Sequence, residues 1–179
     1  MRTIAKRAYG FTLIEIVVSI TAVGILMTLI LSVLAPEGVR GTDAIYSMRA
    51  AELGQSYLEE MLGKRYAENS PLGNALRCGE AGGPGACTTP LGPDSGETTH
   101  TTFDDFDDYN GFSDGSAGTA PTDQSGSARP NYTGFQVTAT VSYAGTDLGL
   151  NNLDAKLAVV TVTDPHGARY VFSVYKANF

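Results

Sequence analysis

The chain carries little with which to run chemistry. It has two histidines, His100 in a polar stretch and His166 in a turn sequence. Serines are so many that a Ser/His/Asp grouping in the sequence carries no information. There is neither a His-x-x-x-His pair nor a glycine loop placed to cradle phosphate ahead of a helix. The glycine spacings at 79–85 belong to a small loop between cysteines. No enzyme is expected from these residues. Basic residues are scarce too, with 12 Lys+Arg against 19 Asp+Glu and a formal charge of −7. An acidic chain repels nucleic-acid phosphates, so no nucleic-acid partner is expected. Between Arg77 and Arg129 there is no Lys or Arg, while nine acids run from Glu80 to Asp123. Those acids have no basic partner nearby in sequence. No internal repeat is visible, and 179 residues suit one modest domain plus an anchor.

What the chain does have is one long apolar run. Residues 11–35 contain a single charge, Glu15, near their start. A helix over the uncharged part, 16–35, spans about 30 Å, close to the hydrocarbon thickness of a bilayer. A carboxylate in such a segment is costly without a partner and marks a functional position. Ahead of the run sit ten residues bearing Arg2, Lys6 and Arg7 and ending in Gly10. No further base follows until Arg40, so the positive-inside rule places the N-terminus in the cytoplasm and the body outside the membrane. An ordinary signal anchor is the plain alternative. A secretory signal, however, has its small-residue cleavage site after the apolar region, and here that site lies before it.

The segment Tyr9-Gly10-Phe11-Thr12-Leu13-Ile14-Glu15-Ile16-Val17-Val18 resembles the N-terminus of type IV pilins, including the pseudopilins of type II secretion. The resemblance implies cleavage between Gly10 and Phe11 by a prepilin peptidase and N-methylation of Phe11 by the same peptidase/methyltransferase. It implies residence in the lipid bilayer of the inner membrane, single-pass with the C-terminal domain in the periplasm, before an inner-membrane pilus assembly platform adds the subunit to other pilin subunits. Glu15 would be the fifth mature residue, and a neighbour's N-terminal ammonium is its nearest candidate partner. The implied organisation is a leader at 1–10, a transmembrane and assembly helix at 11–35 and a periplasmic domain at 36–179. Two patches of the body, Arg49-Ala50-Ala51-Glu52-Leu53-Gly54-Gln55-Ser56-Tyr57-Leu58-Glu59-Glu60 and Phe103-Asp104-Asp105-Phe106-Asp107-Asp108-Tyr109-Asn110-Gly111, resemble minor pilins of the mannose-sensitive haemagglutinin (MSHA) pilus.

Cys78 and Cys87 bracket a loop rich in glycine that lets the backbone turn back on itself. An oxidising periplasm permits a disulfide there, worth about 2–3 kcal/mol. Two free thiols or half of a metal site are the alternatives. Asp104, Asp105, Asp107, Asp108 and Asn110 offer hard oxygens at short spacing, as calcium (Ca2+) prefers. The EF-hand pattern is not met, because Phe106 stands where an oxygen ligand belongs. The alternative is a solvated acidic loop anchored by Phe103, Phe106 and Tyr109.

The expected fold class is α+β, a pilin fold in which a long N-terminal helix packs on a C-terminal antiparallel β-sheet. Pro36, Gly38 and Gly41 predict a kink or frayed segment at 36–41, with Thr42-Asp43 capping a renewed helix over 43–65. Ile45, Met48, Leu58, Met61 and Leu62 are expected to form its apolar face, either core or subunit contact. Residues 72–131 read as a long polar connection. Strands are expected at 134–143, 156–163 and 168–175, with a turn at Asp164-Pro165-His166-Gly167. Three functions suit this organisation: a minor pilin serving attachment or motility, a pseudopilin of type II secretion, or an adhesin-like binding module using the acidic loop.

Overall fold

The computed structural model describes residues 10–70, 77–87 and 90–178, with backbone alone at 34–42. The leader residues Arg2, Lys6 and Arg7 lie outside the described residues, as do 71–76 and 88–89 of the long loop. The chain divides into two compact units, one ending at Ile45 and one beginning at Tyr46.

Helix α1 runs Leu13–Gly63. Thr12 starts it: its Oγ1 accepts the Glu15 backbone N–H at 3.3 Å, the bond an N-cap threonine makes to the third helical residue. Glu15 lies in the first turn. The expected fraying at 36–41 is not found, and neither is a fresh helix start at Thr42-Asp43, since the backbone is helical throughout. Proline removes one N–H and costs about 3 kcal/mol inside a helix. Ending one helix and nucleating another loses several hydrogen bonds and pays the nucleation cost again.

In the first unit every described side chain from Phe11 to Val33 is exposed. Leu13–Val33 is a helix long and apolar enough to cross a membrane. Its hydroxyls bond back to the helix, Ser19 Oγ to Glu15 O at 2.7 Å and Thr21 Oγ1 to Val18 O at 2.9 Å. Thr28 and Ser32 do the same to Ile25 and Leu29. The rod thus presents few unsatisfied donors to an apolar medium.

In the second unit the helix buries Ala50, Leu53, Tyr57 and Met61 against a four-stranded antiparallel sheet. The strands are β1 (Ser113–Asp114), β2 (Gln136–Tyr143), β3 (Ala155–Thr163) and β4 (Arg169–Ala177), in that spatial order. This is the pilin-like α+β arrangement. The expected helix face needs correction. Met61 is buried and Leu58 half-buried, but Ile45, Met48 and Leu62 are 49%, 65% and 43% exposed. The buried stripe follows i, i+3, i+4 steps through smaller or polar-tipped residues, and hydropathy alone selects the wrong side. Gly54 lies in that stripe because β4 comes very close: a Cβ there would sit 2.4 Å from Phe172 Cδ2.

The strands alternate as expected. Phe135, Val137, Ala139 and Val141 point inward, and Tyr170, Phe172 and Val174 are half-buried beside exposed Val171 and Ser173. The stretch from 90 to 131 is not a plain connection. It supplies β1, a 3-10 turn at Asp107–Tyr109 and the buried rings of Phe103, Phe106 and Tyr109. Its aromatics belong to the same core cluster as the buried residues of α1 and the sheet.

Candidate functional site

Three places in the molecule could carry function. The first is the head of α1. Gly10 is exposed, and among the described residues a Cβ there would meet nothing within 4 Å. Phe11 and Glu15 are exposed as well. Among the described residues nothing pairs with the Glu15 carboxylate.

The second is the acidic loop, and it is buried rather than solvated. The backbone segments after the helix and before the 3-10 turn run side by side: Arg65 N donates to Asp104 O at 3.2 Å and Phe106 N to Arg65 O at 2.9 Å. Asp105, Asp107 and Asp108 are almost wholly enclosed. Asp108 Oδ2 accepts the N–H groups of Asp104 and Asp105, both at 2.9 Å. Asp105 Oδ1 accepts Asp107 N at 2.8 Å and Asp108 N at 3.3 Å. Asp107 pairs with the buried Lys156, whose ammonium also donates to Tyr66 O at 2.6 Å and lies 4.5 Å from the Tyr66 ring centroid. Asn110 is used as a brace: its Nδ2 donates to Leu91 O and its Oδ1 accepts from Val141 N. Asp104 pairs with Arg65 at 3.3 Å.

Of the five residues expected to share an ion, three therefore converge. Asp104 stands between two trios, Glu68–Asp104–Asp105 and Glu97–Asp104–Asp108, and within each trio one oxygen per residue lies within 4.8 Å of the others. Burial, then the Asp107 carboxylate and the nearby acidic charges, push the Asp105 carboxyl up to about 8. Burial, with Glu97 beside it, pushes Asp108 up to about 7. The neighbouring Asp104 carboxylate raises Glu68.

The third is a polar chain through the core. His100 Nδ1 lies 3.1 Å from Glu60 Oε1, and its Nε2 lies 2.8 Å from Thr122 Oγ1. Tyr109 OH donates to Glu60 Oε1 at 2.7 Å. Asp114 Oδ2 accepts from Tyr57 OH, Thr122 N and Thr122 Oγ1 at 2.7–2.8 Å. Burial raises the Glu60 carboxyl, but the bonds from His100 and Tyr109 outweigh it and the net direction is down. Asp114 is likewise lowered against its burial, by Thr122, Tyr57 and Gly115. Thr122, His100 and Glu60 have the order of a nucleophile, base and orienting acid. The threonine proton, however, is committed to ionised Asp114 and points away from the imidazole, so the row braces the core rather than activating an oxygen.

Cys78 and Cys87 are joined in a disulfide. Asn178 Nδ2 donates to Cys78 O at 3.0 Å, which ties the end of the chain to the loop. The sequence reading missed Lys156, Glu60, His100, Glu68 and Glu97. Lys156 had a signal: it shares strand parity with Ala158, Val160 and Val162, all inward. Glu60 had one too, three residues after Tyr57 on the buried stripe.

Residues 5–31 match the prokaryotic N-terminal methylation motif. With the apolar helix behind it and the α+β body, the motif supports a type IV pilin-like or pseudopilin subunit, a structural class that a prepilin peptidase processes and that assembles with other pilins. No curated protein and no solved structure matches the chain.

Proposed function

We propose that the chain is a minor pilin of an MSHA-type pilus, most similar in its body to MshD, serving pilus assembly or initiation and so attachment or motility. It is a structural subunit, not an enzyme. The observation that carries the reading is the sole carboxylate of the apolar helix, Glu15, standing in the first turn directly behind the Gly10–Phe11 border. Cleavage there frees an amine on Phe11, and its methylated ammonium on one subunit pairs with Glu15 of the next. The pairing sets how deep each copy enters the filament. The 1–10 leader stays cytoplasmic and the body is periplasmic until the inner-membrane platform extracts the subunit from the lipid. Ile45, Met48 and Leu62 are exposed apolar side chains on the helix, as subunit contacts would be.

Two measurements test this. Mass spectrometry of the cellular protein should find a mature N-terminus at methylated Phe11, and a chain still beginning at Met1 would sink the reading. Glu15→Val should remain in the membrane and vanish from sheared pili; normal incorporation would remove the pairing mechanism. A type II secretion pseudopilin is the alternative. A deletion strain that keeps its pili and loses secretion would decide for it.

A further inference from the structure

The Lys156–Asp107 pair is an amine and a carboxyl sealed together in the core. Both side chains are wholly enclosed, and Lys156 Nζ is in direct contact with Asp107 Oδ1. Taking two ions out of water is costly even when they pair. The second oxygen of Asp107, Oδ2, is buried with no hydrogen-bond partner, a state that buried polar atoms seldom keep. Asp105, 1% exposed, brings another carboxyl within hydrogen-bond reach of the first, and its Oδ2 is orphaned in the same way. A proton held between the two carboxyls answers both oxygens. The neighbouring Lys176, opposite Lys156 on β4, is committed to the carbonyls of Leu62 and Lys64.

The fold fixes the pose of all three groups. Asp107 sits in the 3-10 turn and Lys156 on β3, 49 residues apart in the chain. Lys156 Nζ also donates to Tyr66 O at 2.6 Å, and the rings of Tyr66 and Tyr143 lie 4.5 and 5.5 Å from it. Asp105 is held by its Oδ1, which accepts the N–H groups of Asp107 and Asp108. Amine, carboxyl and proton carrier are thus positioned as one reacting unit, in a place that water does not reach to hydrolyse a product.

We propose that Lys156 Nζ and Asp107 Cγ condense into an intramolecular amide, with Asp105 carrying the protons. The Lys156 ammonium first gives a proton to the Asp107 carboxylate. The freed amine attacks Cγ, forming the C–N bond as the carbonyl electron pair moves onto oxygen. Asp105 protonates that oxygen and takes a proton from the nitrogen. One C–O bond then breaks and the oxygen leaves as water. Ammonium and carboxylate become amide and water, nothing is oxidised or reduced, and Asp105 is returned unchanged. The product suits the site better than the ions do. It is neutral, its single N–H keeps the bond to Tyr66 O, and its carbonyl accepts from the Asp105 carboxyl. The bond forms after folding, since only the fold brings the two residues together, and it staples the turn carrying Tyr109 to the sheet. It is independent of filament assembly, and either reading could fail alone.

The test is peptide mass spectrometry of the full-length chain purified in detergent, then denatured and reduced. Chymotrypsin cuts between the two residues, at aromatics from Tyr109 to Tyr143. Wild type should release one branched peptide holding both Asp107 and Lys156, lighter by one water than the two separate peptides together. Lys156→Arg keeps the cation and should give no branch. Asp105→Asn keeps the oxygen that accepts from Asp107 and Asp108 and should leave the chain folded by circular dichroism but unlinked. Separate wild-type peptides of full mass overturn the proposal. So does a loss of water at Asp107 without a branch, which is an internal imide. A linked Asp105→Asn chain overturns the part given to Asp105.

Discussion

Glu15 and Asp107 are both carboxylates that need a partner, and the chain treats them in opposite ways. Asp107 is sealed in the core and meets Lys156, which arrives from a strand 49 residues later in the chain. Glu15 stands on an exposed helix face with no partner among the described residues. A fold can neutralise a charge that it encloses. It cannot do so for a charge on a helix whose side chains from Phe11 to Val33 are all exposed. Asp107 is therefore a matter of stability and Glu15, on the reading above, a matter of assembly with another copy.

Lys156→Met is the most severe way to break that contrast. It leaves Asp107 buried and unpaired, and the loss should be about 3–5 kcal/mol. Thermal or urea unfolding should show it, and Lys156→Met/Asp107→Asn should recover much of it. No loss in the single variant would mean that the pair is not enclosed as described. Opening the cystine with Cys78→Ser/Cys87→Ser should cost about 2–3 kcal/mol, because a short loop regains its freedom in the unfolded chain. Unfolding midpoints with and without reductant measure this, and the variant should be insensitive to reductant.

Gly54→Ala sharpens the packing side of the comparison. The added methyl collides with the Phe172 ring and should cost about 1–3 kcal/mol despite alanine's better helix propensity. Phe172→Leu in the same chain should return part of the loss. The acid limb of the stability curve is a gentler test. Glu60 and Asp114 are both lowered by folding. Their contribution is complete above the ordinary carboxylate range near pH 4–4.5 and is lost as pH falls through their lower folded values, where the unfolded chain binds protons first. Glu60→Gln should flatten the fall in unfolding free energy between pH 5 and pH 3, by about 1 kcal/mol. An unchanged acid limb would mean that His100 and Tyr109 do not hold Glu60 ionised.

Glu15→Val has the smallest expected effect on folding, within about 0.5 kcal/mol, because its side chain is exposed on the helix. All of its effect should fall on incorporation into filaments. A variant that unfolds more easily and also assembles normally would reverse the comparison.

The order of elements was readable in the chain. Strict alternation at 135–141, the Asp164-Pro165-His166-Gly167 turn and the long apolar run each signal their structure within a few residues. The acidic loop was read in part. Short-range spacing brought Asp104, Asp105 and Asp108 to attention, but it could not see Lys156, which a distant strand delivers, or Glu68, which follows the Arg65–Asp105 pairing of distant backbone. Hydropathy misplaced the helix face because the buried stripe includes Ala50, Gly54 and Glu60, small or charged residues that only a facing sheet makes sense of.

By itself the sequence determined the motif at the front of the helix, the helix behind it and the three long strands, since those follow from local periodicity and from charge placed next to apolar runs. Only the tertiary structure decided which acids are buried, which cation meets Asp107 and which side of the helix faces the sheet. Those are outcomes of long-range packing, where a charge is stable only if the folded chain delivers its partner to within a few ångströms.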